Sequence, residues 1–353
     1  MPVRIRKEVA QTRSAGRAVP QTAPSMYPKL YGILVIKRLP LILCGKEEFN
    51  LHKICIELTH RRQDYVLVHP EFYGRTFDFT VNVARSGRST ARIVSTNGAS
   101  FAPEDVSSVW TRGIHYSGFR QPRSNSNSNF ILHEHKYSFN YLLSQMRSAF
   151  WINPIPAITA TNRLVQADVA KSVGYQVPQS IVTSSKQDLL DFLNLHGRCI
   201  IKPICQVGRH ESGPKQVLTS IISRDANIPE RLSAPVLVQE FVEKAYEIRA
   251  VVVEDRVFAG AIDSMSRPET SVDSRAWTNT SLSYYRLALT EEECSMLRLI
   301  NERLGLIYSA IDLIRHPSGD LIFLEANPSG QWTFLEAQTG HPITESIVDC
   351  LVR

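Results

Sequence analysis

The stretch 307–328 limits the choice of folds most sharply, because it predicts a β-hairpin with acidic and amide side chains on one face. Two apolar segments flank the residues 317–320, which are typical of a tight turn. If these four residues form the loop, Asp312 and Glu325 lie opposite each other on paired strands. Asn327 lies two residues beyond Glu325, and it therefore shares the same face, since strand side chains alternate.

The two facing carboxylates need a compensating partner, because like charges directly opposite in an antiparallel pair destabilise that pair. Asp312, Glu325 and Asn327 supply two carboxylates and an amide oxygen, a set that suits Mg²⁺ better than Zn²⁺. A solvated hairpin with scattered acids is the alternative. The apolar flanks favour a half-buried position, in which unpaired acids are costly. The sequence therefore predicts a magnesium site on this hairpin.

Strand and helix patterns alternate along the chain and predict an α+β protein with three lobes behind a basic extension. The predicted parts are an extension at 1–29, an α/β lobe at 30–130, a helix and central lobe at 131–235, and a C-terminal lobe with antiparallel strands at 236–353. We expect 106–110 to be the last buried strand of the first lobe, with Arg112 exposed just after it. A helix is predicted at 290–304, because Thr290 and Glu293 form a capping box and Gly305 follows the helix.

Composition and charge narrow the functional classes. The chain has 353 residues and a net charge of +6, but positions 1–30 hold six Lys or Arg and a single Glu. The rest of the chain is therefore nearly neutral, and its basic pI does not predict nucleic-acid binding. The extension has the composition of a disordered segment, and a transit peptide is the alternative.

The remaining composition predicts a soluble protein. No apolar run reaches the roughly 18 residues of a membrane span, so we expect no membrane partner. The six cysteines lack metal-type spacing and are expected to be reduced thiols of a cytoplasmic protein. A homodimer is the default expectation for a soluble enzyme of this kind.

Several basic side chains precede the predicted hairpin. Lys202 ends an apolar strand before a loop with glycines, so its ammonium is suited to a nucleotide phosphate. A lysine at a sheet edge, with its stem on apolar surface, is the alternative. Glu247 and Arg249 share one strand face and form either a structural ion pair or part of a ligand site. Arg275 in a polar loop and Arg163 at a helix start add guanidinium groups suited to phosphate or carboxylate.

The order of these residues resembles the ATP-grasp superfamily over about residues 150–353. This resemblance rests on Lys202-Pro203, Gln239-Glu240-Phe241-Val242, Glu247-Ile248-Arg249, Asp312 and Glu325-Ala326-Asn327-Pro328. A narrower resemblance, to the microviridin-type (graspetide) peptide maturases, rests on 238–244, Asp273-x-Arg275, Asn327-Pro328-Ser329-Gly330-Gln331-Trp332, Glu336, 339–343 and 109–112. Three features depart from the family pattern: Arg163 stands where a lysine is usual, Ser274 stands where a tryptophan is often found, and the basic extension is extra.

The resemblance implies a three-lobed ATP-grasp fold that binds ATP and magnesium, the latter as two ions. It also implies a role for each matched residue. Asp312, Glu325 and Asn327 would hold magnesium; Arg163 and Lys202 would contact phosphates; Gln239, Glu240, Phe241 and Val242 would form the adenine hinge through backbone groups; Glu247 would face the ribose; and Arg249 and Arg275 would face the γ-phosphate or an acyl phosphate.

The resemblance finally implies a ligase that acts on a ribosomal precursor peptide with a leader and a core. An Asp or Glu side chain of that peptide would be activated as an acyl phosphate, and a Ser, Thr or Lys side chain would then close a macrolactone or macrolactam. A ligase that adds a free amino acid, such as glutamate, to a peptide or protein tail is the alternative within enzymes. A nucleotide-binding scaffold without catalysis is the alternative outside them.

Overall fold

The computed structural model describes residues 38–46, 48–95, 100–112, 128–204, 219–262 and 283–353. All of these described residues belong to one compact unit. Four sheets and eight α-helices occur within these described ranges. No helix among them is long and apolar enough to cross a membrane.

The first lobe contains a parallel sheet and a small antiparallel one. Its elements are β1 (Leu39–Cys44), α1 (Leu51–His60), β2 (Val66–Val68), β3 (Phe77–Asn82), β4 (Thr90–Ser95), β5 (Ser100–Phe101), β6 (Val106–Arg112), α2 (Ser128–Ser144) and β7 (Phe150–Ile152). The parallel sheet has the order β2-β1-β6-β7, and β3-β4-β5 form the antiparallel one. Because β7 pairs with β6 after the α2 crossover, β6 is not the last strand of this lobe, and the sheet extends past residue 130.

The central lobe contains an antiparallel sheet of order β10-β9-β11-β8. Its elements are α3 (Ile155–Ala160), α4 (Arg163–Ser172), β8 (Ser180–Ser185), α5 (Lys186–His196), β9 (Cys199–Lys202), β10 (Ser220–Ile222) and β11 (Arg231–Glu240). Helix α4 begins where the Asn162 side chain accepts hydrogen bonds from the backbone N–H groups of Leu164 and Val165, at 3.0 and 3.1 Å. The predicted start of the last lobe at residue 236 falls inside β11, which pairs with β8 and β9 and therefore belongs to the central sheet.

The last lobe is a five-stranded antiparallel sheet of order β14-β13-β12-β15-β16 with helices on both faces. Its elements are β12 (Tyr246–Val253), β13 (Arg256–Ile262), β14 (Tyr284–Leu287), α6 (Glu291–Leu304), β15 (Tyr308–Arg315), β16 (Leu321–Asn327), α7 (Thr333–Thr339) and α8 (Ile343–Leu351). The predicted capping box of α6 is confirmed, and Gly305 ends that helix in the left-handed conformation with φ of 68°.

The two faces of this last sheet pack against different parts of the chain. One face covers α4 and α6, through a core that includes Ile248, Ala250, Leu297 and Ile300. The other face shares a core with α7, α8 and the first lobe, which includes Val251, Ala310, Trp332, Trp110 and Ile54. The central sheet has a core of its own around Leu189, Leu193 and Val238. The first lobe is therefore joined to the sheet that carries the predicted magnesium ligands.

Candidate functional site

The predicted hairpin is formed by β15 and β16, and it places Asp312 opposite Glu325. The loop spans 316–320, one residue longer than predicted, because Arg315 pairs with Leu321. A β-bulge between the pairs Leu313–Phe323 and Asp312–Glu325 restores the register. The predicted opposition of the two carboxylates is therefore confirmed, although the loop bounds from which it was inferred were wrong by one residue.

Three charged side chains lie in a row on one face of this sheet, and a fourth reaches the end of the row from α4. Arg249 on β12 lies beside Asp312 in the strand register, and its Nη1 donates to Asp312 Oδ1 at 2.5 Å. At the other end, Arg163 begins α4 and places its Nη2 2.5 Å from Glu325 Oε2. The row reads Arg249, Asp312, Glu325, Arg163, so each carboxylate is neutralised by one guanidinium.

The two carboxylates remain electrostatically strained. At the separation of a directly opposite pair, about 5 Å, they repel each other by about 3 kcal/mol at an effective dielectric constant of about 20. Burial raises the pKa of Asp312 to about 6; the Arg249 guanidinium opposes this rise, and the Glu325 carboxylate adds to it. The Arg163 contact is close in distance but lacks hydrogen-bond geometry, so Glu325 Oε2 is buried without a hydrogen bond.

This donor set fits a hard divalent cation. Glu325 Oε2 has acceptor capacity to spare, and Asn327 follows on the same face of β16, opposite Ala310. The Asn327 Oδ1 accepts from the Ser329 backbone N–H at 2.9 Å, which fixes the orientation of the amide. Among the described residues, no three His, Cys, Asp or Glu side chains gather around a common point. The donors available here are thus two carboxylates and an amide oxygen, and magnesium prefers oxygen ligands of this kind.

Two buried amide side chains fix the backbone around the row. Asn153, after β7, donates to the carbonyls of Tyr308 and Pro328 at 2.7 and 2.8 Å and accepts from two N–H groups at the start of β15. Gln166 on α4 donates to the Ala326 carbonyl at 2.8 Å and accepts from its N–H at 2.9 Å. Sequence reasoning missed both residues, because each contacts a strand more than a hundred positions away and no local pattern marks it.

Arg112 is buried, which corrects the expectation that it is exposed. It is the last residue of β6, and only 5% of its surface is accessible. Its Nη1 donates to the Gly330 carbonyl at 2.7 Å, its Nε lies 3.1 Å from Glu48 Oε1, and its guanidinium lies 5.1 Å from the centre of the Trp332 ring. These partners compensate a charge that would otherwise be costly to bury.

The predicted adenine hinge lies where β11 leaves the central sheet. Gln239 is inside the strand, and its side chain donates to Ser180 Oγ at 2.8 Å. The backbone N–H groups of Glu240 and Phe241 donate to Gln179 and Arg198 carbonyls at 3.0 and 2.9 Å, and are thereby committed to the fold. Val242 follows these residues directly, outside the strand.

The other predicted phosphate and ribose residues are distributed over two sheets. Lys202 is half-buried at the end of β9, opposite Leu237 of β11. Glu247 shares a face of β12 with Arg249, as predicted from strand alternation, and forms an ion pair with Lys244. Arg275, with its neighbours Asp273 and Ser274, lies outside the described residues, so its role stays a prediction.

A comparison with protein families decides which kind of protein carries this site. The profile of the RimK-like ATP-grasp domain matches residues 160–351, a region that holds every residue predicted to bind ATP or magnesium. The chain belongs to the RimK-like ATP-grasp family. The expected α+β ATP-grasp fold is therefore confirmed, and the protein is an enzyme of the ATP-grasp ligase type.

Solved structures extend the likeness of this ATP-grasp chain to its first lobe. A RiPP-associated ATP-grasp ligase of Chryseobacterium gregarium, in complex with ADP and a leader and core peptide, has a TM-score of 0.76 at 20% identity, over 89% of this chain and 96% of that one. The macrocyclase MdnC of Microcystis aeruginosa MRC, bound with precursor peptide MdnA, has a TM-score of 0.76 at 21% identity, over 89% and 99%.

A third ATP-grasp ligase, PsnB, was solved with Mg, ADP and a phosphomimetic variant of a minimal precursor; its TM-score is 0.70 at 18% identity, over 89% of this chain and 98% of that one. No curated protein sequence matches the chain. At these identities the likeness establishes the fold, and the expected resemblance to microviridin-type ligases is confirmed at that level.

Proposed function

We propose that this chain is an ADP-forming ATP-grasp ligase that closes ester or amide crosslinks in a ribosomal precursor peptide. The charge row Arg249–Asp312–Glu325–Arg163, with Asn327 beside it, is the observation that carries the proposal. Acids on a half-buried sheet, each balanced by a guanidinium, are suited to receive a cation and polyphosphate together. This is the requirement of a ligase that transfers a phosphoryl group.

Asp312, Glu325 and Asn327 are the residues that would hold magnesium, which we expect as two ions. Bound magnesium supplies charge neutralisation for the phosphates of ATP. The carboxylates and the amide oxygen lie on one face of the β15–β16 hairpin, and the Ser329 N–H orients the amide. Rigid strands on both sides of Asp312 hold these donors in place.

Cationic side chains surround the proposed phosphate site. Arg163 and Arg249 lie at the two ends of the row, within reach of anything bound at its centre. Guanidinium groups form strong bidentate contacts with phosphate, so both are suited to bind it once a cation takes over the carboxylates. We assign Lys202 to the phosphates from the central sheet, and Arg275 to the γ-phosphate or the acyl phosphate.

The nucleotide base and sugar would occupy the end of β11. Since the Glu240 and Phe241 N–H groups are engaged with neighbouring carbonyls, we assign adenine recognition to the backbone groups that follow, the Phe241 carbonyl and the Val242 N–H. Gln239 and Glu240 support this hinge through their side-chain bonds to Ser180 Oγ and the Gln179 N–H. Glu247, held by Lys244, would face the ribose.

The proposed reaction has two displacements. A carboxylate oxygen of the peptide forms a bond to the γ-phosphorus of ATP while the bond to ADP breaks, which gives an acyl phosphate. A hydroxyl or amine of the same peptide then attacks the acyl carbon, loses its proton and releases inorganic phosphate. The residues of this chain act by positioning and by charge, because no covalent nucleophile is required. Water must be kept from the acyl phosphate while the ring closes.

A peptide substrate is favoured over a free amino acid by the degree of structural likeness. The similar structures that hold leader, core or precursor peptides have TM-scores of 0.70 to 0.76 over 89% of this chain. A ligase that adds free glutamate to a peptide or protein tail would use the same ATP and magnesium residues and is the second candidate. We place the reaction in the cytoplasm, where ATP is available, and the expected homodimer stays a prediction.

The proposal is tested with purified full-length protein, ATP, Mg²⁺ and a synthetic peptide copied from a short reading frame beside the gene, rich in Thr, Ser or Lys and in Asp or Glu. The expected result is a loss of one water mass per ring, with one ADP formed for each. A gain of one amino-acid mass when glutamate is added would support the second candidate instead. If neither product forms and ATP is not consumed, the result would indicate a catalytically silent scaffold.

A further inference from the structure

The turn after Asn327 is held by side chains from distant parts of the chain. We call residues 328–331 the 328–331 turn. Side chains outside the turn donate to three of its four carbonyls: Asn153 to Pro328 at 2.8 Å, Arg112 and Tyr308 to Gly330 at 2.7 and 2.5 Å, and Arg249 to Gln331 at 3.4 Å. The Gly330 carbonyl thus accepts two hydrogen bonds, and one of its donors belongs to the first lobe.

The position of this turn determines the orientation of Asn327. Its Oδ1 accepts from the Ser329 N–H at 2.9 Å, and its carbonyl accepts from the Gly330 N–H at 3.1 Å. A shift of Gly330 would therefore move the N–H that holds the Asn327 backbone carbonyl, and with it the neighbouring Ser329 N–H that holds the side-chain amide. Groups that orient a metal ligand contribute to metal affinity although they never touch the metal.

Arg112 is well placed to fix this peptide. Its guanidinium is itself immobilised, by the Glu48 carboxylate at 3.1 Å and by the Trp332 ring at 5.1 Å. A charged donor forms a shorter and stronger hydrogen bond than a neutral one. Since only 5% of Arg112 is accessible, water does not compete for this hydrogen bond while the side chain is in place.

We propose that Arg112 is a positioning residue, through which the first lobe holds the 328–331 turn and aims the Asn327 amide at the magnesium site. This inference rests on the proposed function, because it assumes that Asn327 binds magnesium. It makes the first lobe a part of the metal site rather than a separate module. The residue touches neither ATP nor the peptide in this role.

A purely structural role, in which Arg112 only docks the first lobe, is the competing explanation. Arg61 provides a control, since it also joins the first lobe to the last one, with a side chain that is 29% exposed against 6% for Arg112. Its Nη1 lies 2.6 Å from Asp349 Oδ1 on α8, outside the 328–331 turn. An arginine that merely joins the lobes should therefore behave like Arg61 when it is replaced.

The test is a calorimetric titration of the full chain with ADP at a series of Mg²⁺ concentrations. For Arg112→Met we expect Mg²⁺-dependent ADP affinity to fall by about tenfold, the lower end of the effect of losing a group that orients a metal ligand. For Arg61→Met we expect no change, even if that variant is less stable. For Arg112→Lys we expect partial recovery, because an ammonium can donate to one carbonyl. Equal losses in Arg112→Met and Arg61→Met would overturn the inference.

Tyr308→Phe provides a second measurement that removes a single hydroxyl and so tests the shared carbonyl even if Arg112→Met does not fold. If both residues act through Gly330, the combined loss in Arg112→Met/Tyr308→Phe will be smaller than the product of the single losses. Fully multiplicative losses, or wild-type affinity in Tyr308→Phe when Arg112→Met is unfolded, would contradict the inference. If the wild-type protein binds no Mg·ADP, both the magnesium site of the proposed function and this inference fail. If the wild-type protein binds Mg·ADP and the variants bind it equally well, this inference alone fails.

Discussion

Replacing Gly330 by alanine should displace the proposed magnesium ligand Asn327, because the structure leaves no room for a side chain there. A Cβ built on Gly330 lies 2.3 Å from the Ala310 Cβ and 3.3 Å from both the Cβ and the carbonyl oxygen of Asn327. Ordinary contacts begin near 3.4 Å, so the turn must move away from Ala310 by about 1 Å. Ala310 is fully buried on a central strand and has no space in which to yield.

The expected cost has two parts. Overpacking of this kind lowers the free energy of unfolding by about 1–3 kcal/mol. A displacement of about 1 Å in a positioned group lowers the rate of catalysis by about 100-fold. Stability is measured by denaturant unfolding of Gly330→Ala, and site integrity by calorimetric titration with Mg·ADP and by ADP release in the presence of peptide.

A compensating variant makes this prediction specific. Ala310→Gly removes the methyl group that the new side chain would strike, so Ala310→Gly/Gly330→Ala should regain much of the lost Mg·ADP affinity. Ala310→Gly alone should bind Mg·ADP normally and lose about 1 kcal/mol of stability, as expected for glycine within a strand. The reasoning is refuted if Gly330→Ala binds Mg·ADP as wild type does, or if the double variant is as impaired as the single one.

Four further outcomes follow from the site. Glu325→Gln or Asn327→Ala should lower peptide dehydration by about 100-fold, about 3 kcal/mol of barrier, with an unchanged circular dichroism spectrum; complete dehydration by either variant would exclude its assigned role. Chromatography of the nucleotide products should show ADP, whereas AMP would indicate adenylation. Mg²⁺ should bind more weakly without ADP than with it, and equal calorimetric affinities would contradict the charge argument. Trp332→Phe should lose about 1–3 kcal/mol in denaturant unfolding, because its Nε1 donates to buried Thr344 Oγ1 at 3.0 Å; unchanged stability would show that this bond contributes nothing net.

The parts of the site that sequence predicted are those governed by local periodicity. Strand alternation placed Glu247 with Arg249 on one face, and turn chemistry placed Asp312 opposite Glu325. The second inference succeeded despite a loop one residue too short, because the bulge on β16 adds the missing residue. A bulge has no reliable signature in a single sequence, whereas the strand segments on both sides of it were predicted correctly from their apolar pattern.

The parts that sequence did not predict depend on contacts between distant segments. The place of β7 beside β6, and of β11 between β9 and β8, depends on which strands the folded chain brings together. Asn153, Gln166 and Arg112 are polar residues whose burial makes sense only once their backbone partners are known. The sequence predicts Arg112 at the surface because it follows the apolar segment 106–110, whereas its partners are a carbonyl and an acid from different parts of the chain.

The charge row also explains why metal and nucleotide binding should be coupled in this fold. Two carboxylates and two guanidinium groups cancel, so a divalent cation that enters alone adds two uncompensated positive charges to a half-buried face. Those charges are compensated only if the cation arrives with an anion, and the phosphates of a nucleotide supply it. Under the proposed function, Arg163 and Arg249 would lose their partners as the carboxylates turn to the cation, and would gain the phosphates instead. Each ligand would thereby raise the affinity for the other, with the two guanidinium groups as the cations that exchange one anion for the other.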